Sequence, residues 1–148
     1  MQKRPAFASI LVGVIVLGAA CIATAQNKPS GETYKSRLSP VPLNVSMLST
    51  VAGSGSLTAV LSGKQLTITG TFEGLHSPAT SAQIHMGFRG IRGPAIVDIT
   101  VTKAEKGNVE GSVELSPEQI EALRNSKLYV QIQSERAPQG NLWGWLLK

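Results

Sequence analysis

The chain has 148 residues and a formal charge of +5; 42% of it is hydrophobic and 16% charged, with 15 glycines, 8 prolines, two histidines and a single cysteine. That length allows one domain with a tail, and a charged fraction this low, without long charge runs, excludes a fully disordered chain. The cysteine and histidine counts exclude a disulfide scaffold and any cysteine-rich zinc or iron–sulfur centre.

Residues 1–25 have the three parts of a secretory signal. Lys3 and Arg4 give a positive start, an apolar run follows from Ala6 to about Ala20, and Ala23-Thr24-Ala25 forms a small-residue cleavage site before Gln26. Two other readings use the same residues. Cys21 is a candidate for lipidation, although Leu17 stands one position too early for a lipobox, and an uncleaved Ala6–Ala25 is just long enough to anchor in a membrane. Removing Lys3 and Arg4 lowers the formal charge from +5 to +3, so the high pI comes partly from the leader. A charge of that size, spread along the chain, does not indicate a nucleic-acid partner.

Residues 26–42 read as a polar tether, because Lys28-Pro29-Ser30-Gly31, Ser39-Pro40 and Pro42 offer few apolar side chains to bury. From Leu43 to Lys148 the expectation is a folded domain. Ser56–Leu61 and Leu66–Phe72 predict a hairpin turning at Gly63-Lys64, the second strand alternating Leu66, Ile68 and Phe72 with Thr67, Thr69 and Thr71. The same period continues around Ile84, through Val97–Val101 and Val109–Leu115, and through Leu128–Gln133 and Leu142–Leu146.

One segment breaks this pattern. Ser116-Pro117-Glu118-Gln119 predicts a helix start: Ser at the N-cap, Pro in the first turn, an acid on the positive end of the dipole and Gln at the capping-box position. Ile120 and Leu123 share its buried face, and Asn125-Ser126 ends it. Seven or eight short strands around one small helix predict an all-β fold, a β-sandwich with Greek-key connections in which each strand has one wet and one dry face.

Catalytic constellations are missing from the inventory. The chain has no Gly-x-Ser-x-Gly elbow, P-loop or dinucleotide fingerprint, and Asp98 is its only aspartate. Glu110 and Glu114 are the nearest thing to a glycosidase carboxylate pair. No enzymatic activity is expected.

The segments from Leu66 to Leu147 resemble the CHRD domain, the repeat described in chordin and common in secreted bacterial proteins. The resemblance rests on Leu66–Leu75, Ser77–His85, Gly93-Pro94, Leu115–Ile120, Leu128–Gln133 and Gly140–Leu146. It implies an immunoglobulin-like or superoxide-dismutase-like sandwich outside the cytoplasm, and it supplies no reaction. The family usually has His-x-His where this chain has Gln83-Ile84-His85, and often another histidine where it has Gln133. Alternate strand residues share a face, so a histidine pair there would grip a metal, and only His85 remains. No metal is expected; the alternative is weak copper or zinc binding by His85 with His76.

Two surfaces are candidates for binding. If Leu128–Ser134 pairs with Asn141–Leu147 so that Ile132 faces Leu142, then Tyr129 falls opposite Trp145 and Gln131 opposite Trp143 on the outer side. Rings interleaved with amides suit sugar or peptide contact, although the same residues also suit packing beneath another part of the chain. The loop Met86–Pro94 is the second, a glycine-rich cationic tip whose Arg89 and Arg92 would meet a carboxylate or sulfate. The expected protein is therefore a non-enzymatic binding module of the periplasm or the extracellular space. Its partner would be an envelope protein or a glycan, and its contacts Tyr129, Gln131, Trp143, Trp145, Arg89 and Arg92.

Overall fold

The computed structural model describes residues 31–148, so the predicted signal, the lipidation candidate Cys21 and the first residues of the tether lie outside it. The strands are β1 (Glu32–Pro40), β2 (Ser54–Ser62), β3 (Gln65–Glu73), β4 (Ala79–Met86), β5 (Ala95–Val101), β6 (Gly107–Glu114), β7 (Leu128–Ser134) and β8 (Ala137–Trp145). One α-helix, α1 (Pro117–Arg124), joins β6 to β7, and a 3-10 helix at Val45–Ser49 lies between β1 and β2. The expected α1 signals are all present. The Ser116 side chain accepts from the Gln119 N–H while the Gln119 side chain accepts from the Ser116 N–H, and Leu123 is fully buried.

The strands hydrogen-bond in the order β1-β2-β3-β6-β5-β4-β7-β8 and close on β1, with every pairing antiparallel. Within that order β3 lies beside β6, and β7 beside β4, each next to the three-strand meander β4-β5-β6, so the Greek-key connections are present twice. The expected immunoglobulin-like sandwich is corrected to a closed barrel. Long ladders build two opposed walls, and short ones seal the corners. Ser39 and Pro40 pair with Trp143 and Leu142, and Thr100 and Val101 with Glu110 and Val109. Closure leaves no bare sheet edge to recruit another chain.

The strand that closes the barrel comes from the predicted tether. Residues 26–42 read as linker because prolines and small polar residues dominate there, yet Tyr34, Ser36 and Leu38 alternate inward along β1 and are buried. β1 forms a ladder of seven residue pairs with β2. Three inward side chains are buried along the strand, and two of them, Tyr34 and Leu38, are large enough to fill the core. The folded domain therefore starts before Leu43. Residues just after Leu43 form the 3-10 helix instead of beginning a strand, with Asn44 capping Met47.

A second correction concerns β7. Its alternation predicts one wet face, but every residue from Leu128 to Ser134 is buried. The inner side, Leu128, Val130 and Ile132, joins the core with Ile68, Ile84 and Leu142. The outer side is covered by other parts of the same chain.

An ionic clasp ties β1 to the rest of the molecule. Glu32 accepts from Tyr34 Oη at 2.8 Å, Arg124 Nε at 2.9 Å and Lys148 Nζ at 3.1 Å. The Arg124 hydrogen bonds, with those of Tyr34 and Lys148, lower the Glu32 carboxyl from 4.5 to about 2. Burial, and then the Glu32 carboxylate, raise the Tyr34 hydroxyl from 10.0 to about 12. A depressed carboxyl lends stability that is complete above its unfolded value and vanishes as pH falls through the folded one. A raised phenol lends stability that is complete below its unfolded value and vanishes as pH rises through the folded one. Melting temperature should therefore fall between pH 4.5 and about 2, and again between pH 10 and about 12. Thermal melts of Glu32→Gln should show a shallower acid limb than the native chain. Parallel acid limbs would remove the clasp from the account.

Candidate functional site

The outer face of β4, β7 and β8 brings the predicted aromatic residues together. The register is the one the hydrophobic pattern predicts: Tyr129 faces Trp145, Gln131 faces Trp143 and Ile132 faces Leu142. β4 adds His85 beside Tyr129 and Gln83 beside Gln131. The rings form a stack across three strands. His85 lies 5.0 Å from Tyr129 at 19°, and Tyr129 lies 5.4 Å from Trp143 at 4°. Trp145 tilts against Tyr129 at 4.7 Å. Offset ring pairs of this kind add stability beyond the area they bury.

This stack is not an open platform. Tyr129 is 0% exposed, Gln131 2%, Trp143 3% and His85 8%, while Trp145 is half-buried. The cover is the β4–β5 loop, residues 87–94, and the first part of β8 before Asn141. Arg92 lies 5.7 Å over the Trp143 ring, and Gln131 Nε2 donates to the Gln139 carbonyl at 2.8 Å. Of the two readings for these residues, packing beneath the chain describes Tyr129, Gln131 and Trp143. They cannot meet a partner without the loop moving.

What the stack does is hold the loop. Tyr129 Oη accepts from the Gly93 N–H at 3.0 Å and donates to the Gly93 carbonyl at 3.3 Å. His85 Nδ1 lies 2.9 Å from the same carbonyl, which can only accept, so the proton sits on Nδ1. At the other shoulder, the Gly87 N–H donates to the Lys127 carbonyl at 2.8 Å, and Trp145 Nε1 donates to the Gly87 carbonyl at 3.4 Å. Met86 and Pro94 close the base through a 3.0 Å backbone bond. Glycine at 93 is required by close approach, because a Cβ there would fall on the Met86 carbonyl oxygen.

The tip between these shoulders faces solvent. Phe88, Arg89, Ile91 and Arg92 are all exposed. The Ile91 N–H donates to the Phe88 carbonyl at 2.9 Å, and Gly90 has φ +82°, the left-handed third position of a type II turn. Lys127 Nζ lies 4.6 Å from the Phe88 ring centroid. Arg89 and Arg92 are exposed on a loop that the sequence reads as flexible and whose two shoulders are hydrogen-bonded to the barrel. Phe88 and Ile91, exposed at the same tip, are not among the residues singled out from the sequence. Their signal was legible: two large apolar residues flanking a glycine turn, outside any strand alternation.

The two histidines do not share a site. His76 precedes β4 and is exposed, with Nδ1 3.3 Å from the Ser49 carbonyl. His85 sits near the far end of β4, and the extended chain from Ala79 to His85 alone spans about 20 Å. One ion cannot bridge them, so the alternative of copper or zinc held by this pair is corrected. Among the described residues no group of three His, Cys, Asp or Glu side chains is placed to hold a metal.

The glutamines at the two positions where the resemblance leads one to expect histidine are tied to each other. Ser81 Oγ donates to Gln133 Oε1 at 3.0 Å, Gln133 Nε2 to Gln83 Oε1 at 3.0 Å, and Gln83 Nε2 to Asp98 Oδ1 at 2.7 Å. An amide both donates and accepts, so two of them make a relay across β7, β4 and β5 that ends on a carboxylate. The relay consumes polar capacity that imidazoles would have turned toward an ion. Glu110 and Glu114 are four residues apart on exposed β6 positions. That places them about 13 Å apart, wider than a glycosidase pair.

A family model described as the CHRD domain matches residues 36–146, and the chain belongs to this family. No curated protein and no solved structure matches the chain.

Proposed function

We propose that the chain is a non-catalytic binding module, exported to the periplasm or beyond, which engages a component of the cell envelope through the tip of the β4–β5 loop. The observation behind this reading is the contrast between the loop's two parts. Its shoulders are pinned by Tyr129, His85, Trp145 and the Lys127 backbone, while Phe88, Arg89, Ile91 and Arg92 remain exposed. A loop fixed before contact loses little conformational entropy on binding, so more of its contact energy appears as affinity. The aromatic stack, first read as the binding surface, becomes the support beneath it. The signal-like leader and the family's smallness and β-rich fold are consistent with such a module.

The test is a paired charge removal. Arg89→Gln/Arg92→Gln should reduce capture of solubilised envelope material by about thirtyfold, since each charge-assisted contact contributes on the order of 1 kcal/mol or more. Lys103→Gln/Lys106→Gln removes the same charge from another exposed loop and should leave capture unchanged. Equal loss in both pairs would reduce the effect to net charge and reject the loop as the contact surface.

A further inference from the structure

We propose that the partner met by this loop is an anionic lipid surface: Phe88 and Ile91 enter the interface while Arg89 and Arg92 meet headgroup phosphates. This rests on the loop being the contact surface and goes beyond it in naming the chemistry. Phe88 and Ile91 are each 61% exposed, and the described residues hold only two other large hydrophobics as open to solvent, Val45 and Leu48. The Phe88–Ile91 turn sets the first two side by side at one tip. Among the described residues nothing covers them.

The charges around the tip fit the same surface. From His85 to Val97 the chain has two arginines and no acid. Among the described residues neither arginine forms an ion pair; the ion pairs found there both belong to Glu32. Lys127 stands over Phe88, while Glu118 and Glu121 line the cleft beside it and more than offset its charge, so the positive charge at the tip comes from the two arginines. A soluble polyanion would satisfy the arginines and leave Phe88 and Ile91 in water. An anionic bilayer takes both: cations at the headgroups and apolar side chains at the acyl boundary. Val45 and Leu48 lie in the uncharged β1–β2 connection and lack the second half of this pattern.

The two tryptophans give a local readout. The chain has no others, and both lie under this loop, so their quenching reports how close this loop comes to the acyl chains. The full chain is titrated with vesicles of phosphatidylcholine alone, or mixed with phosphatidylglycerol, their acyl chains brominated to quench tryptophan. Quenching should require at least tenfold less lipid when phosphatidylglycerol is present. Arg89→Gln/Arg92→Gln should weaken it by about twentyfold, since each basic side chain near an anionic surface contributes about fivefold. Phe88→Ala/Ile91→Ala should weaken it by about tenfold or more. Melting temperatures should fall by no more than about 5 °C, because each double variant loses one exposed cation–π contact, Arg92 over Trp143 or Lys127 over Phe88. Quenching that is absent, or the same for native and variant chains, overturns the lipid assignment. Dextran sulfate separates the two levels. If it binds through the arginines while vesicles do not quench, the loop stands as the contact surface and lipid is rejected. If neither probe responds to either double variant, the loop reading falls with it.

Discussion

A chain that begins at Leu43 should fail to fold, whereas one that begins at Gln26 should melt cooperatively. Were residues 26–42 only a tether, the two would melt alike. β1 contributes Tyr34 and Leu38 to the core, 1% and 0% exposed. Emptying the space of one large buried side chain typically costs about 3 kcal/mol or more. Removing the strand empties two, takes away the ladder to β2, and unseals β8 at Ser39 and Pro40. Against a total stability on the order of 10 kcal/mol, little would remain. The exposed edges of β2 and β8 would then favour association. Far-UV circular dichroism with thermal melts decides it, and equal melting of the two chains would refute the role given to β1. A milder form of the experiment tests the same seam. A Cβ at Gly144 would press on Ser36 Oγ and lie 2.7 Å from the Arg37 carbonyl oxygen and 2.9 Å from Leu38 Cδ2, so Gly144→Val should force β8 away from β1.

Gly93→Ala should release the β4–β5 loop and leave the barrel standing. The new methyl would fall on the Met86 carbonyl and lie 3.0 Å from the Gly87 Cα, so the backbone bond from Met86 to Pro94 must open. Tyr129 Oη loses both its partners and His85 Nδ1 loses its acceptor. Loss of several part-buried hydrogen bonds predicts a destabilisation of about 3 kcal/mol and a melting temperature lower by about 10 °C. Tryptophan emission should shift to the red as Trp143 and Trp145 gain water, while the strand signature in circular dichroism at room temperature stays. Tyr129→Phe removes only the hydroxyl and should cost about 1 kcal/mol. The core cluster does not include Gly93, Tyr129 or His85, which is why the barrel should survive. Unchanged emission and melting in Gly93→Ala would show that the loop is not held by this network, and the preorganised tip would lose its foundation.

These two experiments address different halves of the molecule. One removes the strand that completes the inner packing; the other frees a loop that lies on the outer face.

The sequence by itself determined the alternating strands, the capped helix α1 and the register of β7 against β8. Each depends on neighbours in sequence or on a two-residue period: the Ser116–Gln119 capping box closes within one turn, and a slip of the β7–β8 register would turn Leu142 out of the core. Composition also showed Arg89 and Arg92 on a glycine-rich loop. Only the tertiary structure decided what those elements do. Closure depended on β1, whose polar residues and final proline hide three inward positions that matter because β2 and β8 lie on either side. The face of Tyr129, Gln131 and Trp143 looks wet in sequence because alternation reports which side a residue takes and not what lies on that side. A loop more than thirty residues earlier in the chain folds over it, held by the Gly93–Tyr129 hydrogen bonds. Long-range cover of this kind leaves no local period to read. It converted the expected contact surface into a support, and moved the candidate site to the loop that the support holds.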